Sequence, residues 1–111
     1  MANQMMNSSS GSGSNNLTKV KKTGTFGPIA HSFNYNTMTF DFSDIKNYSQ
    51  LTENNFTIGV EQTDTDCYIV SIDQGSISYD SSTGKVTGQV RTIRHDYGTS
   101  PKFTGFCTCV Y

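Results

Sequence analysis

The sequence predicts an all-β domain, an antiparallel β-sandwich or barrel of seven to eight short strands, behind a flexible N-terminal arm. Three observations carry the prediction. Apolar and polar residues alternate over short runs, as Phe56, Ile58 and Val60 do against Thr57, Gly59 and Glu61, the period of a strand with one buried face. Turn residues interrupt these runs at intervals of roughly 8–14 residues, the spacing of hairpin-connected strands. Only 15% of residues are charged and Ala occurs only at positions 2 and 30. Ser, Thr, Asn and Gly fill the gap, a mixture that suits strands and tight turns better than helices.

Residues 1–16 contain no charged, aromatic or branched aliphatic side chain. Such a stretch cannot bury enough apolar surface to offset the entropy of ordering it. It is expected to be a flexible Ser/Asn/Gly arm, with residues 17–111 as a single domain. The alternation of Leu17–Lys22 suits an edge strand, where lysines discourage pairing with other chains. Thr23–Pro28 reads as a turn-rich connection.

Ile29–Phe42 is the first strong β region. Phe33 and Tyr35 share one parity, and Met38, Phe40 and Phe42 the other. The switch at Asn36-Thr37 predicts a turn or bulge. Ser43–Leu51 is the one helical candidate, with Ser43 as cap and Ile45, Tyr48 and Leu51 three apart; it predicts one or two turns. Asn54-Asn55 breaks the chain, and Phe56–Glu61 is a strand.

Cys67–Ile72 is a near-continuous apolar run and reads as a central strand buried on both faces. Asp73–Ser76 is expected to turn the chain and Ile77–Tyr79 to form a short strand. Asp80–Gly84 has the length and residue types of a hairpin loop ending on a left-handed Gly. Lys85–His95 places Val86, Gly88 and Val90 on one face. Phe103–Tyr111 is the last strand, expected to be tied into a sheet or an assembly.

The formal net charge is −1, so no global field draws the protein to nucleic acid or membrane. The charges are nonetheless segregated along the chain. Residues 17–40 carry three lysines and no acid. Residues 41–80 carry eight acids against Lys46, a balance of −7. Residues 81–111 carry four cations against Asp96, a balance of +3. Folding either averages these blocks or displays them as complementary patches. No run reaches the roughly 18 apolar residues of a membrane span, and no basic-then-apolar leader opens the chain. Synthesis in the cytoplasm is expected.

The three cysteines, Cys67, Cys107 and Cys109, do not make a closed disulfide set. Cys107 and Cys109 share a strand face and do not bridge each other easily. Buried thiols are expected, with a Cys67 bridge to either one as the alternative.

No motif demands chemistry. Asp64-Thr65-Asp66, with Glu61 near, supplies oxygens but not the Gly turn and the bidentate Glu of a calcium loop. His31, His95, Cys107 and Cys109 are zinc-ligand types at spacings that match no zinc pattern. His95-Asp96 has no nucleophile elbow beside it. No enzyme activity, metal or cofactor is expected. The candidate contacts for a partner or a glycan are Tyr35, Asn36, Tyr48, Arg91, Arg94 and Tyr97, aromatic, amide and basic groups near loops.

The stretch Gly75-Ser-Ile-Ser-Tyr-Asp-Ser-Ser-Thr-Gly-Lys-Val-Thr-Gly88 resembles the β modules of tailed-bacteriophage virion proteins, the tail, fibre or head-decoration components. The resemblance implies a structural protein incorporated in a virion, with copies of itself and other structural proteins as partners and the arm as tether or strand donor. The alternative is a carbohydrate-binding or adhesin-type module that uses Tyr and Asn at the loops.

Overall fold

A computed structural model describes residues 17–30, 33–94 and 100–111. Six strands form two three-stranded antiparallel sheets: β1 (Lys19–Phe26), β2 (Asn34–Asp41), β3 (Phe56–Thr63), β4 (Cys67–Asp80), β5 (Lys85–Arg94) and β6 (Phe103–Val110). The first sheet has the order β1-β6-β3 and the second β2-β5-β4. The all-β class holds, with six strands instead of seven to eight. The arm, His31 and residues 95–99, including His95 and Tyr97, lie outside the described residues.

The strand count falls because two expected turns are strand. β1 runs on through Thr23–Phe26, in continuous register with Phe103–Phe106. Asp73–Ser76 does not reverse the chain either. Gln74–Ile77 stands opposite Gly88 alone, as a large bulge that keeps Ile77–Tyr79 within β4. The bulge is held by its own bonds: the Ser76 hydroxyl donates to the Asp73 carbonyl at 2.6 Å and accepts from Gln89 N at 2.7 Å.

Two further expectations are corrected. β2 pairs with β5 without irregularity from Asn34 to Asp41, so Asn36-Thr37 is neither turn nor bulge. The parity switch has another cause: Tyr35 points to solvent and Met38 and Phe40 to the core, so both faces of one strand carry apolar groups. The apolar run Cys67–Ile72 is not a central strand. β4 is an edge, and Tyr68 and Val70 are about half exposed, 51% and 45%. The centre is taken by β5, which pairs on both sides and buries Val86, Val90 and Thr92 completely.

The helical candidate reduces to a single 3-10 turn at Tyr48–Gln50, and a second follows at Glu53–Asn55. Thr52 and Asn55 cap the second turn reciprocally, the pattern that satisfies the first free amides of a helix. The Asp80–Gly84 loop is as expected. Thr83 N and Gly84 N donate to the Asp80 carbonyl, Gly84 has φ +76°, and the Asp80 carboxylate accepts from Ser82 N at 2.9 Å and the Ser82 hydroxyl at 2.6 Å.

The core lies between the sheets. Met38 and Phe40 of β2 and Val86 and Val90 of β5 meet Phe56 and Ile58 of β3 and Phe103, Cys107 and Cys109 of β6. Two glycines set the sheet separation. At Gly105 a Cβ would collide with the Met38 sulfur, and at Gly88 with Ile58 Cδ1. Each sheet thus pushes one side chain into the gap left by a glycine of the other. The expectation for the last strand is met: β6 is the centre of its sheet, and its end is closed by mutual backbone bonds between Thr18 and Tyr111 at 2.7 and 2.9 Å.

Candidate functional site

The register of the second sheet determines what its outer face displays. Side chains directly opposite in an antiparallel pair share a face. Five rows cross the strands, the last two being Thr39, Thr87 and Ser78 and then Asp41, Lys85 and Asp80. Tyr35, Arg91 and Ser71 form one; Thr37, Gln89 and Asp73 form the next; Ile93 and Tyr68 lie on the other side of the first. Phe33, just before β2, joins that end. The Arg91 guanidinium lies 5.3 Å from the Phe33 ring centre and 5.7 Å from that of Tyr35, the distance range of cation–π attraction.

Among the described residues, eight large apolar side chains are exposed, and five of them belong to this sheet and its approach: Phe33, Tyr35, Tyr68, Val70 and Ile72. The other three, Leu17, Val110 and Tyr111, flank the joined ends of β1 and β6. The outer face of the first sheet is different. Phe106 there lies across Gly59, and Lys21 covers it, with Nζ 4.9 Å from the ring centre and 2.7 Å from the Glu61 carboxylate. Phe106 is half-buried, whereas Phe33, Tyr35 and Tyr68 of the second sheet and its approach are each more than half exposed.

The same ion pair answers the question of charge. Lys21 pairs with Glu61, and Lys22 with Asp44 at 2.8 Å. Two cations of the first block are therefore matched to acids of the second, and folding partly averages the sequence segregation. On the outer face of the second sheet, no ion pair among the described residues involves Arg91 or Asp73.

The sequence-derived candidates separate. Tyr35 and Arg91 come together on the open face. Asn36 points inward, and its amide donates to the hydroxyl of fully buried Thr92 at 2.5 Å. Tyr48 lies at the other end of the sandwich, half buried, with its carbonyl accepting from the Tyr79 hydroxyl at 2.6 Å. Arg94 pairs across from buried Cys67, so it shares the inner side. Tyr97 lies outside the described residues. Phe33, Tyr68, Ile93 and Asp73 were not singled out from sequence. The signal for the first was present, since Phe33 and Tyr35 form a second apolar parity beside Met38 and Phe40.

Asp64 and the three cysteines have structural places. Asp64 ties the β3–β4 turn to the start of β6, its carboxylate accepting from Lys102 N and its own amide donating to the Lys102 carbonyl, both at 2.9 Å. The three thiols are free and buried, so no bridge to Cys67 forms. Burial pushes Cys107 up to about 12 and Cys109 up to about 11, which keeps both protonated and unreactive near neutral pH. No group of three or more His, Cys, Asp and Glu suited to a metal ion occurs among the described residues. No helix there is long and apolar enough to cross a membrane.

An open groove of about 310 Å³ runs between the free edges of β3 and β4, lined by Val60, Glu61, Gln62, Thr63, Ile69 and Ile72. Beside it, Gln74 closes β3. Its side-chain oxygen accepts from Ile58 N at 3.1 Å, and its amide donates to Ile58 O at 2.6 Å, the two bonds a neighbouring strand would make. The chain matches no family model, no curated protein and no solved structure.

Proposed function

We propose that this protein is a non-enzymatic assembly module that docks through the outer face of the β2-β5-β4 sheet. Its place would be a large complex such as a tailed-bacteriophage virion. The observation that carries the reading is the aromatic end of that face. Phe33 and Tyr35 are more than half exposed and hold Arg91 against their rings. Aromatic residues and Arg are the types enriched where proteins bury each other, and Lys and Glu are depleted there. The aromatic end of the face carries one cation amid apolar and hydroxyl groups, and Lys85 stands at the far end, in a row with Asp41 and Asp80. Its partners are then other copies of the chain and other structural proteins, with residues 1–16 as a tether.

A second reading follows from the same rings. Tyr35 and Tyr68 present open aromatic surface beside hydroxyl and amide groups, which suits a glycan as ligand. Size-exclusion chromatography with light scattering, beside a glycan array, separates the two. Self-association without glycan binding supports assembly. A stable monomer that binds glycans overturns it. Deleting residues 1–16 tests the tether: self-association that is unchanged by the deletion removes the arm from the proposal.

A further inference from the structure

The open face carries its charges in a particular arrangement. Arg91 and Asp73 are diagonal neighbours, on adjacent strands and one row apart. They do not pair. Arg91 leans the other way, onto the rings of Phe33 and Tyr35, which leaves exposed Asp73 without a cation among the described residues. The other charges of this face, Asp41, Lys85 and Asp80, stand together in one row at its far end, so its aromatic half holds one cation and one anion, offset from each other, and is self-complementary. A two-fold axis in the plane of the face, crossing between them, puts the Arg91 of one copy opposite the Asp73 of the other, and the reverse.

We infer that the partner of this face is a second copy of the chain, related by such a two-fold axis, with Arg91 and Asp73 pairing reciprocally across the interface. This rests on the docking reading above and names its occupant. The axis turns the aromatic end of each copy toward the β4 edge of its neighbour. Three strands about 4.8 Å apart and eight residues at about 3.3 Å each give a face of roughly 14 by 26 Å. That is small for a stable dimer, so association is weak and rises with concentration.

Charge reversal tests the arrangement. Arg91→Asp leaves two acids facing each other across the axis, and Asp73→Arg leaves two arginines. Each variant alone is expected to raise the dimer dissociation constant about tenfold or more, as like charges do at an interface. An equimolar mixture of the two is expected to recover the dimer, because every 91–73 contact then joins opposite charges. Analytical ultracentrifugation of the full chain over a concentration series reads this, with thermal melting to verify that the variants fold. If Arg91→Asp does not fold, Asp73→Arg carries the test alone: weakened association supports the inference, and unchanged association overturns it. Dimers indifferent to both reversals, or a mixture that recovers nothing, overturn the inference and leave the docking reading standing. A wild-type monomer at every concentration also overturns it. If that monomer binds glycans, the docking reading falls as well.

Discussion

Single residues set the distance between the sheets. Gly105 and Gly88 are strand residues with ordinary backbone, and what demands glycine there is a neighbour: Met38 in one case, Ile58 in the other. Adding a methyl to a filled core forces side chains off their rotamers. Gly105→Ala is expected to destabilise the protein by about 1–3 kcal/mol, seen as a lower urea midpoint with an unchanged slope. The thiols make a second case. Cys67, Cys107 and Cys109 are buried, and burial raises all three. In the native protein at pH 8, iodoacetamide should label none of them, and after unfolding it should label three. A rapidly labelled native thiol would contradict the burial.

At the scale of elements, the free edges are closed by side chains. Gln74 bonds both backbone groups of Ile58 on β3, and the Glu53 carboxylate accepts from Tyr79 N on β4 at 3.3 Å. Gln74→Ala should cost about 1 kcal/mol, the net worth of such bonds, and speed hydrogen exchange at the Ile58 amide. An unchanged exchange rate would show that the edge has another cover. The turns carry a pH dependence. Backbone and hydroxyl donors of Ser43 lower Asp41, the Lys22 ammonium lowers Asp44, and Ser82 lowers Asp80, each from 3.8. A depressed carboxylate adds stability above its unfolded pKa and loses it as pH falls through the folded value. The melting temperature should thus hold down to about pH 4 and decline below it, with a smaller decline in Asp80→Asn.

For the whole molecule, the two sheets are alike in architecture and unlike in surface. Lys21, Phe106 and Glu61 close the outer face of one, and Phe33, Tyr35 and Tyr68 leave that of the other open. Replacing Phe33 and Tyr35 together by Ser removes apolar groups that face water. It should leave the melting temperature within a few degrees of wild type, as surface substitutions away from structural features do. Self-association should drop sharply in the same variant. A large fall in melting temperature would instead make these rings part of the core.

Much of the local structure was legible in the sequence. Alternation marks β3, the residues of Asp80–Gly84 specify the hairpin, and Cys107 and Cys109 share the buried face that their two-residue spacing requires. These are local properties, since side-chain period and turn geometry depend on neighbours in the chain. The candidate site was half legible. Tyr35 and Arg91 were found, but Asn36 and Arg94 differ from them only by facing inward, and Tyr48 belongs to the far end. The order of the strands was decided by tertiary structure alone. An apolar run such as Cys67–Ile72 has the same pattern at a buried centre and at an exposed edge. Which it becomes depends on whether β5 or β4 receives partners on both sides, and those pairings join residues far apart in the chain. The open face exists for the same reason: the sequence puts large aromatic or apolar groups on both faces of β2, and only packing against the first sheet decides which of them are covered.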